Sequence, residues 1–258
     1  MPLNTPTQRL RSAYLRLWFE VSERLRWSRG VCRETLAGAL DGLDAATRER
    51  IERLALRFAT RFEAGLGRST ALDNYAYLDL LDRAFTTLCI DPPRGGRVQD
   101  AGSASFRYAA ALQSFFAPRA LVGVEVEGYR LLRDGHSRID RARGYVAALP
   151  HARFVVADYA RFSDTADTVT MFFPFVTVRP LLAWRLPLKV FDPGAWFARA
   201  AANLTCGGLL VVVSHGDIEA DIAARLCSGA GLTALGRYRD DAPLQPRPLP
   251  AVVTLWRQ

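Results

Sequence analysis

From Arg97 onward, short β-branched runs alternate with helical patterns, and few folds accept that rhythm. The runs are RVQDA, ALVGVEV, ARFVVAD, DTVTMFF and GLLVVVSH. Helical periodicity lies between them, near Ser105–Phe116, Ile139–Leu149, Pro193–Leu204 and Asp217–Ser228. Strands separated by helices need crossover connections, and such crossovers are right-handed. The pattern therefore predicts a parallel sheet covered on both faces. The end breaks the rhythm. LTALGRYRD and AVVTLWRQ are joined by the proline-rich APLQPRPLP with no helix between them, so these two strands should pair antiparallel.

The first third reads as helices. Leu10, Tyr14, Leu17, Trp18, Val21 and Leu25 recur at steps of three and four, which predicts a core-packing face. Arg16, Glu20 and Arg24 fall four apart on a solvated back. A second helix is expected from Asp44 to Ala64, with Ile51, Leu54, Leu56, Phe58 and Phe62 as its apolar stripe, and a third from Thr70 to Leu88. DPPRGGR, Asp91 to Arg97, ends the helical run, because two prolines and two glycines cannot continue it. The expected division is a helical cap region over residues 1–94 and a cofactor-binding domain over 95–258.

The 258-residue chain carries a formal charge of +8. Lys189 is its only lysine, and seven arginines precede Glu34 against only Glu20 and Glu23. A basic face of that kind can meet a nucleic acid or another acidic partner. Cys32, Cys89, Cys206 and Cys227 form no C-x-x-C pair and lie far in sequence from His136, His151 and His215, which argues against a metal centre. The absence of a disulfide framework fits a reducing cytoplasm. The first dozen residues lack an apolar h-region, which argues against a signal peptide. MFFPFVTVRPLLAW is interrupted by Pro174, Arg179 and Pro180 and cannot span a bilayer as an unbroken helix.

Ligands of open α/β sheets bind outside the carboxyl ends of the strands, so those ends hold the candidate chemistry. The first strand runs into Asp100-Ala101-Gly102-Ser103-Ala104, where a glycine lets backbone approach a ligand closely. The second ends at Glu125, about two dozen residues past Gly102, where an acid can accept from both hydroxyls of a ribose. The third ends at Asp158-Tyr159. A carboxylate there can accept from an adenine amino group, with an aromatic ring over the base. The fourth ends in Phe172-Phe173-Pro174-Phe175, and the fifth in Ser214-His215-Gly216.

This ordered set resembles the class I S-adenosylmethionine-dependent methyltransferase family over about Arg97 to Gln258. DAGSA, GVE, VVAD, the TCGG turn before LLVVVSH and the closing strand pair carry the resemblance. It implies a Rossmann-like α/β fold: a mostly parallel seven-stranded sheet with a terminal antiparallel hairpin, preceded by a helical region. It implies S-adenosyl-L-methionine as cofactor. By position, Asp100 would lie near the methionine amino group, and Gly102, Ser103 and Ala104 would form the loop under the cofactor. Glu125 would hold the ribose, Val126 would pack on adenine, Asp158 would accept from its amine, and Tyr159 would flank the ring. The family loop is G-x-G-x-G, and here Ala104 and Phe106 replace two of the three glycines. The added methyl of Ala104 is tolerable at a negative φ, whereas a non-glycine residue forced to positive φ would cost roughly 1–2 kcal/mol and weaken the loop without forbidding binding. Phe106 can face the sheet from the first helical turn.

A small-molecule acceptor is the first expectation, and the phenylalanines at the fourth strand end suit a flat or apolar one. His215 is a candidate base beside its more ordinary role as a strand-end residue. EGYRLLRDGHSR, Glu127 to Arg138, is either a polar lid or a solvated connection. Three rival readings remain: a non-catalytic relative acting as a scaffold, a nicotinamide-dependent oxidoreductase, and an RNA methyltransferase using the N-terminal arginines. Asp100 and the terminal hairpin disfavour the oxidoreductase.

Overall fold

The computed structural model describes residues 5–36, 38 and 40–258. Met1–Asn4, part of the stretch used in the signal-peptide expectation, lie outside the described residues. Seven strands, β1 (Arg97–Ala101), β2 (Ala120–Glu125), β3 (Ala152–Val156), β4 (Ala166–Phe172), β5 (Leu204–His215), β6 (Thr233–Asp240) and β7 (Ala251–Arg257), form one sheet in the order β3-β2-β1-β4-β5-β7-β6. The first five pair in parallel, and β7 pairs antiparallel with both β5 and β6. The strand order reverses between β1 and β4, the topological switch point where such sheets bind ligands.

Alternate residues of one strand feed opposite faces. Val211 and Val213 of β5 join a cluster with α3 (Arg68–Thr87) and α4 (Ala109–Phe116), whereas Leu210 and Val212 join one with α7 (Pro193–Asn203) and α8 (Gly216–Gly229). The first cluster crosses the Asp91–Arg97 break: Tyr75, Leu78 and Phe85 of α3 pack among Phe115, Phe116 and the sheet. α5 (Arg138–Val146) covers β3.

Two helical expectations need correction. α1 (Pro6–Leu25) forms, with Thr5 and Gln8 as a capping box, but its apolar stripe does not pack into a core. Leu10, Tyr14, Leu17, Trp18 and Leu25 are 55–76% exposed, and Leu15 alone is buried. The helix rests on its Ser12 side, where the Leu188 amide donates to the Ser12 hydroxyl at 2.8 Å and Lys189 pairs with Glu20. α2 (Ala45–Arg57) stops short of Ala64. Ile51, Leu54 and Phe62 are buried, but Leu56 is 81% exposed.

The chain between α1 and α2 crosses α5 as a strap. The Ser28 hydroxyl and the Arg29 amide donate to Asp140, and the Cys32 amide donates to the Asp140 carbonyl. Trp27 Nε1 donates to the Gly135 carbonyl at 3.0 Å. Gly144 makes the crossing possible, since a Cβ there would lie 1.9 Å from the Cys32 carbonyl oxygen. Glu34 then accepts from Thr70 and Tyr145, both at 2.7 Å.

Candidate active site

A cleft of about 880 Å³ opens at the carboxyl ends of the strands, within the size range of small-molecule sites. Gly102, Ser103, Ala104, Glu125, Val126, Asp158 and His215 line it. Asp100 and Tyr159, though expected there, stand behind its wall. Asp100 is fully buried, its carboxylate accepting from Thr170 Oγ1 at 2.6 Å and from the Tyr108 hydroxyl at 2.7 Å. Burial pushes its pKa up to about 7 against the pull of those two hydrogen bonds. Tyr159 is buried with its hydroxyl donating to Gln99 Oε1, and Trp196 stands beside it, on the cleft.

The loop after β1 follows a left-handed zigzag. Gly102, Ala104 and Phe106 have φ of 74°, 51° and 55°, so of the two alternatives at Ala104 the costlier, positive one forms. A side-chain-bearing residue held there costs roughly 1–2 kcal/mol, and several contacts hold it. The Gly102 and Ser103 amides donate to the Val124 carbonyl, the Ala104 amide donates to Glu125 Oε2 at 2.8 Å, and the Phe106 amide donates to the Ser103 carbonyl. The Phe106 ring does turn inward. It is wholly buried and fills the space over Gly123 of β2, where an added Cβ would meet the ring at 2.6 Å. The ring therefore supports the loop from below and leaves the cleft open, and α4 begins only at Ala109. The Ser103 hydroxyl is buried with no hydrogen-bond partner.

Glu125 also accepts from the Glu127 amide at 2.9 Å. Behind it lies a charge cluster. Arg138, the first residue of α5, sits 3.4 Å from Glu127 and 3.9 Å from Glu125, with its guanidinium over the Trp184 ring. Its Nη1 is buried without a hydrogen-bond partner. Burial raises the pKa of Glu127 to about 7, although Arg138 and Arg130 pull it down. Asp158 remains partly exposed, accepting from the Ala160 amide of its own turn at 3.0 Å. The Glu127–Arg138 segment closes on itself through a bridge between Leu131 and Ser137, and Arg138 is the part of it that lines the cleft beside Leu132.

At the other end of the cleft, Phe173 has a left-handed φ of 55°, and its ring stacks on His215 at 4.0 Å and 14°. Tyr77 of α3 stacks on Tyr108 at 4.4 Å. The Arg247 guanidinium lies 5.2 Å from the Phe173 ring centre and 5.6 Å from that of Tyr77. Burial and Arg247 together push the pKa of His215 down, favouring the neutral imidazole. Sequence reasoning missed Tyr77, Trp184, Trp196 and Arg247. The one local signal for Arg247 was its place between two prolines in QPRPLP.

Sequence distance also concealed a cluster outside the cleft. Cys32, Asp134 and His136 bring one potential metal-ligand atom each to within 4.8 Å of one another. Arg141 donates to Asp134 at 2.7 Å and so occupies the carboxylate a cation would need. Among the described residues, no helix is long and apolar enough to cross a membrane.

No protein-family model and no curated protein matches the sequence. Solved structures do. TrmN from Thermus thermophilus superposes with a TM-score of 0.51 at 16% identity, over 70% of this chain and 48% of that one. The chain thus spans about half the length of TrmN. The N-methyltransferase NodS from Bradyrhizobium japonicum WM9 superposes at 0.50 with 14% identity, over 72% of this chain and 96% of that one. Its complex with S-adenosyl-L-homocysteine gives 0.50 at 16% identity, over 82% and 98%. With the strand order, the closing antiparallel pair and the cleft at the switch point, these likenesses identify the chain's fold as the Rossmann-like fold of the class I S-adenosylmethionine-dependent methyltransferases.

Proposed function

We propose that the protein is an S-adenosylmethionine-dependent methyltransferase acting on a small acceptor. The observation that carries this reading is the loop after β1. It keeps left-handed backbone at residues 102, 104 and 106 although two of those positions lack glycine, and the Ser103 hydroxyl in the same wall is buried with no partner among the described residues. Strain maintained at a ligand-facing loop points to function.

The residues fit the cofactor. Glu125 has lone pairs left for ribose hydroxyls after its two backbone contacts, and Asp158, exposed with Arg161 3.9 Å away, has lone pairs left for an adenine amine. Asp100 acts indirectly, setting Tyr108 and Thr170 behind the loop. When bound, the cofactor supplies an electrophilic methyl group on a sulfonium. The chain's part is then alignment and exclusion of water, which in-line transfer chiefly needs. His215, kept neutral at the acceptor end, can take the proton an acceptor O–H or N–H loses. Aromatic walls on a cleft of about 880 Å³ suit a small acceptor better than a polynucleotide. The N-terminal arginines favour the RNA reading, which predicts affinity falling steeply with salt.

Calorimetric titration with S-adenosylmethionine, S-adenosylhomocysteine and NAD tests the assignment. The first two should bind and the third should not. Glu125→Gln and Asp158→Ala should each weaken binding by roughly 1.5–3 kcal/mol, the range for hydrogen bonds to charged groups. Wild-type affinity in both variants would remove the proposed adenosine site.

A further inference from the structure

We propose that the His215 end of the cleft recognises a small planar anion of the aromatic carboxylate class, with Arg247 pairing its negative group. This deepens the methyltransferase reading and rests on it for the identity of the bound molecule as acceptor.

Arg247 is the uncommitted cation of the cleft. Arg107 is paired with Asp73, and Arg138 and Arg130 both lie against Glu127. Arg247 has no carboxylate partner and donates no hydrogen bond among the described residues, while its guanidinium stands against the rings of Phe173 and Tyr77. Stacking engages the faces of a guanidinium and leaves the in-plane N–H fork free, and that fork matches a carboxylate. A half-buried cation with no carboxylate in ion-pair contact among the described residues gains from an incoming anion. The nearby acids have other contacts: Asp73 pairs with Arg107 and feels the Arg247 charge only at longer range, and Glu219 accepts from the His215 amide at 3.2 Å.

Preorganisation adds to this. Pro246 and Pro248 flank Arg247 and fix φ on either side of it, so little backbone freedom is lost on binding. The partner should be flat, because the surrounding walls are stacked ring pairs, Phe173 on His215 and Tyr77 on Tyr108. Phe173 reaches its place only through a left-handed backbone, and its amide is anchored on the Val213 carbonyl. That backbone sets the Phe173 ring against the core on one side and the cleft on the other.

The test is calorimetry with benzoate, 4-hydroxybenzoate and 2-naphthoate against their uncharged amides, with and without saturating S-adenosylhomocysteine. At least one acid should bind ten or more times tighter than its amide. Arg247→Met should reduce that preference to within about twofold, and Arg247→Lys should retain part of it. Equal affinity of acid and amide, no binding by any acid, or a preference that survives Arg247→Met would each overturn the proposal. Because the acids are also titrated alone, a failure of S-adenosylhomocysteine to bind counts against the methyltransferase reading and leaves the Arg247 result legible on its own.

Discussion

Ala104 shows how a single residue can be conformationally wrong and still be kept. Its φ of 51° suits glycine, and the hydrogen bond from its amide to Glu125 fixes it there. Ala104→Gly should therefore stabilise the fold by about 0.5–1 kcal/mol, the relief of strain less the added chain entropy of glycine. Urea unfolding checks this, and a loss of stability would mean the left-handed loop costs nothing. Phe106 is a different case. Its strain is offset by a ring packed over Gly123, so Phe106→Gly should destabilise by roughly 2–4 kcal/mol, as loss of a buried phenyl ring does. Residue type alone left the sign of φ at Ala104 open, and the hydrogen bond to Glu125 with the packing beneath the loop settles it.

At the scale of elements, the strap over α5 depends on one missing methyl group. Gly144→Ala places a Cβ against the Cys32 carbonyl, a backbone atom that cannot rotate away. The strap should lift while the sheet stays folded. Trypsin should then cut after Arg29 and Arg33 about tenfold faster, corresponding to an opening free energy lowered by about 1.4 kcal/mol. Unchanged cleavage would show that α5 shifts instead. The strands and their carboxyl ends were legible in sequence because the alternation of strand and helix leaves few topologies, and Glu125 and Asp158 followed from it. The exposed face of α1 was not legible. A 3.6-residue period says which side chains share a face, and nothing about whether another element covers it.

Over the whole molecule, acids buried near neutrality make stability depend on pH. Asp100 titrates near pH 7 when folded and near 4 when unfolded, because burial penalises its charge. The folded state then holds the proton more tightly. The contribution of Asp100 is fullest below about pH 4 and is lost as pH rises toward 7. Asp100→Asn removes the charge; its Oδ1 still accepts from Thr170, and its Nδ2 can donate to the Tyr108 oxygen in place of the bond Tyr108 now donates. Relative to wild type, it should gain roughly 2–4 kcal/mol at pH 8 over its difference at pH 4. Parallel stability curves for the two proteins would show that Asp100 stays ionised in the core. Arg247, Tyr77 and Trp184 were beyond sequence reading, since they reach the cleft from a loop, a helix and a short turn far apart in the chain.

Asp140 joins two structures that otherwise have separate purposes. Burial opposes its charge, yet hydrogen bonds from Ser28, Ser137 and Arg29 lower its pKa to about 2. The same carboxylate therefore latches the strap and caps the helix whose first residue, Arg138, stands beside Glu125. A change near residue 28 should therefore reach the cleft through the first turn of that helix, by moving the Arg138 guanidinium beside Glu125, although the amino-terminal stretch does not itself line the cleft.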